Sequence, residues 1–141
     1  MTKKKNNFKL IKNINVGINT LALVITGGFW YMVWIKLNEA SVLKHFFEKS
    51  SIASTYSFMV ADLIWAIPLL FFSIIGLSKN KFWGWTVAQM VNILWLYSVT
   101  AVLVRDLFLE KLVPGTFIFV PFAVLAIWQI FALWNYRNSF R

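Results

Sequence analysis

The feature that most constrains this chain is four apolar blocks of bilayer length, at about residues 13–35, 57–77, 82–104 and 116–136. A spanning helix needs about 20 mainly apolar residues, and four such helices use most of a chain of 141 residues. Soluble domains hold about 45–50% apolar residues, whereas this chain holds 60%. Its mean hydropathy is +0.68. The expected fold is therefore all-α, an integral membrane protein with four transmembrane helices in one antiparallel bundle. The length suits a single domain.

Polar residues inside the blocks recur at helical spacing. Asn15, Asn19, Ala22 and Thr26 share one face of the first block. Asp62, Ala66, Leu69, Ser73 and Gly76 do so in the second, and Phe122, Ala126, Gln129, Ala132 and Tyr136 in the fourth. Gln89 and Asn92 lie three apart in the third. Lipid offers no hydrogen-bond partner, so these faces are expected to point into the bundle. Gly27-Gly28 suggests a close helix contact, and Trp30, Tyr31 and Trp34 suggest an interfacial aromatic belt. Pro68 predicts a kink in the second span. Pro121 falls in the first turns of the fourth, where a missing hydrogen bond matters less.

The charges read as topology. Residues 1–12 form a basic arm with a disordered tip, carrying Lys3, Lys4, Lys5, Lys9 and Lys12. Lys79 and Lys81 lie in a tight polar turn, and Arg137 and Arg141 follow the fourth block. These three segments contain no acid. The other two loops mix Lys36, Lys44, Lys49, Arg105 and Lys111 with Glu39, Glu48, Asp106 and Glu110. The positive-inside rule then puts both termini in the cytoplasm of a cell-membrane protein. The first apolar run is too long for a signal peptide and lacks a small-x-small cleavage site, so a retained helix is expected. The net charge of +9 flanks the apolar blocks and suits lipid headgroups rather than nucleic acid. In the first outer loop, Val42, Leu43, Phe46 and Phe47 share one side, which predicts a short interfacial amphipathic helix with Asn38 as N-cap. Arg105-Asp106 is expected to end the third span.

Few residues offer chemistry. The chain has no cysteine and one histidine, His45, which with Glu48 gives too few ligands for a metal. No acid pair within a span and no glycine-rich phosphate loop is present. Neither a cofactor nor catalysis within a single chain is expected. The candidate polar site, for a ligand or for packing, comprises Asp62, Asn92, Gln89, Asn19, Gln129, Ser98 and Arg105. Asp62 is the one acid within an apolar block, and at that depth its cost favours a partner or a proton. Ser98, Thr100, Tyr31 and Arg105 lie at similar height. The amides Asn19, Gln89, Asn92 and Gln129 read either as helix glue or as the lining of a small cavity, with Trp65, Trp95 and Trp128 as further candidate walls.

The run Asp62-Leu63, Pro68-Leu69, Gly76-Leu77, then Trp83-Gly84 after a basic turn, resembles a hairpin of uncharacterised small four-span integral membrane proteins of prokaryotes. The resemblance covers residues 57–90 and implies topology rather than an activity. Small multidrug exporters, also four-span, depend on a glutamate in the first span, which has none here. The reading is a non-enzymatic multi-pass membrane protein: an accessory or interaction component, or a binder of a small apolar ligand. The competing readings are a homo-oligomeric proton-coupled transporter using Asp62, and a membrane-enzyme subunit needing a partner. The partners implied are the lipid bilayer and either a second copy or another membrane protein.

Overall fold

The computed structural model describes residues 2–39, 46–112 and 114–141, with side chains placed for 6–35, 53–112, 116–117 and 119–141. Five α-helices account for nearly all of them: α1 Thr2–Glu39, α2 Phe46–Ala61, α3 Ile67–Ser78, α4 Phe82–Leu109 and α5 Pro114–Asn135. A π turn, Asp62–Ala66, joins α2 to α3 without a break, and a 3-10 turn, Arg137–Ser139, follows α5. α3 packs on α1 and α4, α4 packs on α5, and α5 closes back onto α1. The result is a four-membered helical ring.

Among the described residues, three stretches are long and apolar enough to cross a bilayer: Asn6–Ile35, Ala53–Ser78 and Phe82–Leu109. The fourth, Phe119–Asn135, is shorter. The distribution of polarity is inverted relative to a water-soluble bundle. Phe71, Phe72, Ile93, Val124 and Phe131 face outward, whereas Asn15, Asn19, Ser73, Asn92 and Gln129 are buried. The amphipathic faces read from spacing are the faces that pack inward, because only there do amides find partners.

Two clusters hold the ring together. Ala22, Leu70, Val91, Trp95, Phe122 and Ala126 lie at its centre, with Trp95 stacked on Phe122 at 4.9 Å between ring centroids. Leu77, Trp85, Ala88, Leu133 and Phe140 form the second, near the α3–α4 turn. The α3 and α4 backbones approach closely there. A Cβ built on Gly76 would stand 2.2 Å from the Gly84 Cα, and one built on Gly84 2.1 Å from the Gly76 carbonyl carbon. The absence of side chains at both positions is what lets the hairpin close.

Several local expectations are corrected. The basic arm, expected to end in a disordered tip, is from Thr2 onward the first part of α1. Lysine is a good helix former, and the segment docks: Phe8 meets Tyr136 and Phe140, and Lys12 Nζ donates to the Ser78 carbonyl at 3.4 Å. Asn38 lies within α1 rather than ahead of a separate helix, and Phe46 and Phe47 open a helix that runs unbroken to Ala61; Val42, Leu43 and His45 lie outside the described residues. Arg105 and Asp106 continue α4 for another turn, and Glu110, at φ 50°, caps it in the left-handed region. A Cβ built on Gly27 or Gly28 would meet no other part of the described protein within 4 Å, so the expected close helix contact is not made there. α5 begins at Pro114, so Pro121 is in its interior. The irregularity attributed to Pro68 appears one turn earlier. The Ile67 N–H bonds the Asp62 carbonyl, a wider ring than the α-helical one, which relieves the clash between a proline ring and the preceding turn.

Candidate functional site

Asp62 opens the π turn and is 7% exposed. Its Oδ2 accepts a hydrogen bond of 2.8 Å from Trp30 Nε1, which ties α1 to the π turn. None of the partners expected from the sequence bonds to it. Thr100 donates to the Leu96 carbonyl of its own helix, Tyr31 is 63% exposed, and Arg105 pairs with Asp106. Ser98 faces Asp62 across a cavity of about 10 Å³ bounded also by Ala66, Leu70, Trp95 and Phe119. That is the lower limit for holding one water. Trp30 was legible as an inward residue: it continues the series Asn15, Asn19, Ala22, Thr26 by one more step of four. The aromatic-belt reading obscured that signal.

The four amides form a belt at one level around α5. Gln129 Nε2 donates to Asn19 Oδ1 at 3.1 Å. Asn19 Nδ2 donates to Ser73 Oγ at 2.9 Å, and Ser73 donates to the Leu70 carbonyl at 2.7 Å. This relay joins α5, α1 and α3. On the other side of α5, Gln89 Nε2 donates to the Ile130 carbonyl at 3.3 Å, and Asn92 Nδ2 donates to Gln89 Oε1 at 3.4 Å. All four amides thus bond within the protein rather than gathering around one cavity, although the buried Asn92 Oδ1 has no partner.

Asp106 is a buried carboxylate, although its place after an apolar run suggests the rim. It is 4% exposed. The Thr116 hydroxyl donates to its Oδ2, and Arg105 donates to its Oδ1 at 3.1 Å from Nη2 and 3.3 Å from Nε. It joins α4 to the start of α5, as Asp62 joins α1 to the π turn. Among the described residues, no three His, Cys, Asp or Glu side chains converge on a point that would hold a metal.

Two hollows open on the surface instead, one of about 520 Å³ at the C-terminal end of α4 around Leu103, Leu107 and Leu112 and one on the α3–α4 pair. A groove of about 590 Å³ runs along the outer side of the α3–α4 pair. Trp65, Leu69, Trp85, Met90, Ile93, Leu94 and Tyr97 wall it, with Thr86 and Gln89 as the polar members. Trp85 is fixed by its Nε1–H, which donates to the Leu133 carbonyl at 3.0 Å. Of the three tryptophans expected to wall an amide-lined cavity, Trp65 walls this outer groove, Trp95 is packed in the core beside the small cavity at Asp62, and Trp128 is 42% exposed. No protein-family model, curated protein or solved structure matches the chain.

Proposed function

We propose that the chain is a non-enzymatic, four-span protein of the cytoplasmic membrane, with both termini inside, that holds an apolar ligand or a partner's helix in its α3–α4 groove. One observation carries this reading. Asp62, Asn19, Ser73, Gln129 and Asp106 are committed to joining helices, whereas the groove is apolar and wide. Joining helices is the usual role of such groups within a membrane, and a lateral apolar cleft is the usual form of a site for an apolar ligand. The docked basic segments support the orientation. Lys12 reaches Ser78, and the Arg141 backbone pairs with Asn80 and Phe82 at 2.9 Å each. The acid-free segments thus meet at one end of the bundle.

The test is photocrosslinking of a diazirine-bearing fatty-acyl probe to the protein in lipid nanodiscs. Crosslinks are expected to concentrate on Trp65–Leu69 and Trp85–Tyr97 and to fall in Ile93→Trp, which fills the groove from its open side. Crosslinks spread evenly over the outer faces of all helices would overturn the groove reading.

A further inference from the structure

We propose that the groove holds an acyl chain of one anionic phospholipid, with the lipid phosphate on the Arg137 guanidinium. The proposal rests on the groove reading and names its occupant.

The two parts of the site share a side chain. Trp85 forms the wall at the end nearest the α3–α4 turn, and Arg137 Cζ lies 5.4 Å from the centre of its ring. The same guanidinium is 5.7 Å from the rings of Phe82 and Trp134. All three distances fall within the range of cation–π attraction, so three rings position the charge, and one of them is a wall of the groove. Arg137 is exposed. Among the described residues its side chain makes no ion pair or hydrogen bond; the ion pair described is Arg105–Asp106. A guanidinium presents five N–H donors in a fixed fork that matches phosphate oxygens.

Length and polarity agree with that occupant. From Thr86 to Tyr97 the groove follows α4 for about 16 Å at 1.5 Å per residue. One leaflet of hydrocarbon is about 15 Å thick, half of a core of about 30 Å. A chain entering at Arg137 would thus run the depth of one leaflet. Within the groove, Gln89 Nε2 is already committed to Ile130, so the polar part of a ligand belongs at the Arg137 end. Lys79 and Lys81 lie in the adjoining α3–α4 turn, to which the Arg141 backbone is bonded through Asn80 and Phe82, with no acid in either segment, and basic residues near a membrane surface favour anionic lipid.

Native mass spectrometry of the detergent-purified full chain tests this, with phosphatidylglycerol and phosphatidylcholine of identical acyl chains as probes. The wild-type chain is expected to retain one phosphatidylglycerol about fivefold better than phosphatidylcholine, the effect of one cation near the surface. Arg137→Gln is expected to weaken retention of both lipids, which share the phosphate, and to weaken the net-anionic phosphatidylglycerol more, bringing that ratio to about one. Arg137→Lys, which keeps the charge, is expected to keep most of the preference. Equal retention of the two lipids by the wild-type chain, which needs no variant, would overturn the proposal. So would an unaltered ratio in Arg137→Gln, or displacement of the bound lipid by inorganic phosphate. Ile93→Trp separates the two readings. Loss of both lipids alongside equal wild-type retention would keep the groove and remove the headgroup assignment, whereas loss of neither would remove the groove itself.

Discussion

Trp30 donates its indole N–H to the Asp62 carboxylate across the α1–π-turn contact. Both residues are buried, and the bond joins positions 32 residues apart in sequence. Trp30→Phe keeps an aromatic ring but removes the donor, leaving a buried carboxylate without it. A destabilisation of about 1–3 kcal/mol is expected, read as a lower unfolding midpoint in detergent. Asp62→Asn keeps an acceptor oxygen and should cost less. If Asp62→Asn proves the more damaging of the two, the bond is not the main role of Asp62, and the proton-coupled reading regains ground.

The Gly76–Gly84 crossing leaves no room for a methyl group on either residue. Overpacking a side-chain core costs about 1–3 kcal/mol. Here a Cβ meets backbone, so Gly76→Ala and Gly84→Ala are each expected at or beyond the upper end of that range. Gly27→Ala and Gly28→Ala, where nothing lies within 4 Å, should be neutral or slightly stabilising through helix propensity. Thermal unfolding of the four variants in one detergent checks the contrast, and equal effects at both pairs would contradict the crossing.

The relay through Asn19 predicts non-additivity. Asn19→Ala removes both the bond from Gln129 and the bond to Ser73, whereas Gln129→Ala removes one of them. Hydrogen bonds within membranes average about 0.6 kcal/mol and reach about 1.7. Asn19→Ala is therefore expected to exceed Gln129→Ala, and the double variant to cost less than the sum of the two. Strict additivity in a double-mutant cycle would show that the residues act independently.

Thr116 and Arg105 both donate to Asp106, but from different environments. The threonine is buried, and the Arg105 side chain is 36% exposed. Thr116→Val leaves a buried carboxylate short of a donor, at an expected cost of about 1.5–3 kcal/mol for a bond to a charged group. Arg105→Gln gives up a partly screened ion pair, expected at no more than about 1 kcal/mol. The order of the two unfolding midpoints is the measurement.

Topology is checked with reporters. A fusion after Arg141 is expected to read cytoplasmic, and a tag at Glu110, in the opposite connection, is expected to be reachable from outside the cell. An external signal at Arg141 would reverse the orientation argued from charge.

How much was legible depends on the range of the interaction. The inward face of α1, the face holding Asp62 and Ser73, and the burial of Gln129 followed from spacing alone. Trp83-Gly84 and Gly76-Leu77 stood out in the hairpin, but not as the two sides of one backbone contact. Asp106 was missed because an Arg-Asp pair after an apolar run reads as a rim, whereas α4 continues through it. Trp30 was assigned to a belt because aromatic residues near the end of an apolar block usually sit there. The groove had no sequence signal, since Trp65, Met90, Ile93 and Tyr97 look like any lipid-facing residues.

The sequence by itself determined the helical class, the apolar segments and the faces that turn inward. These depend on the period of a helix and on lipid's inability to satisfy a polar group, both of which act within one segment. Tertiary structure alone decided the partners: Asp62 with Trp30, Gly76 against Gly84, Asn19 between Gln129 and Ser73, and Arg137 beside Trp85. Those pairings depend on how far one helix is rotated and slid against another. The π turn before Pro68 changes that rotation within a single segment, and two glycines set how near α3 and α4 can come. Such quantities follow from contacts between residues far apart in the chain, which local spacing does not encode.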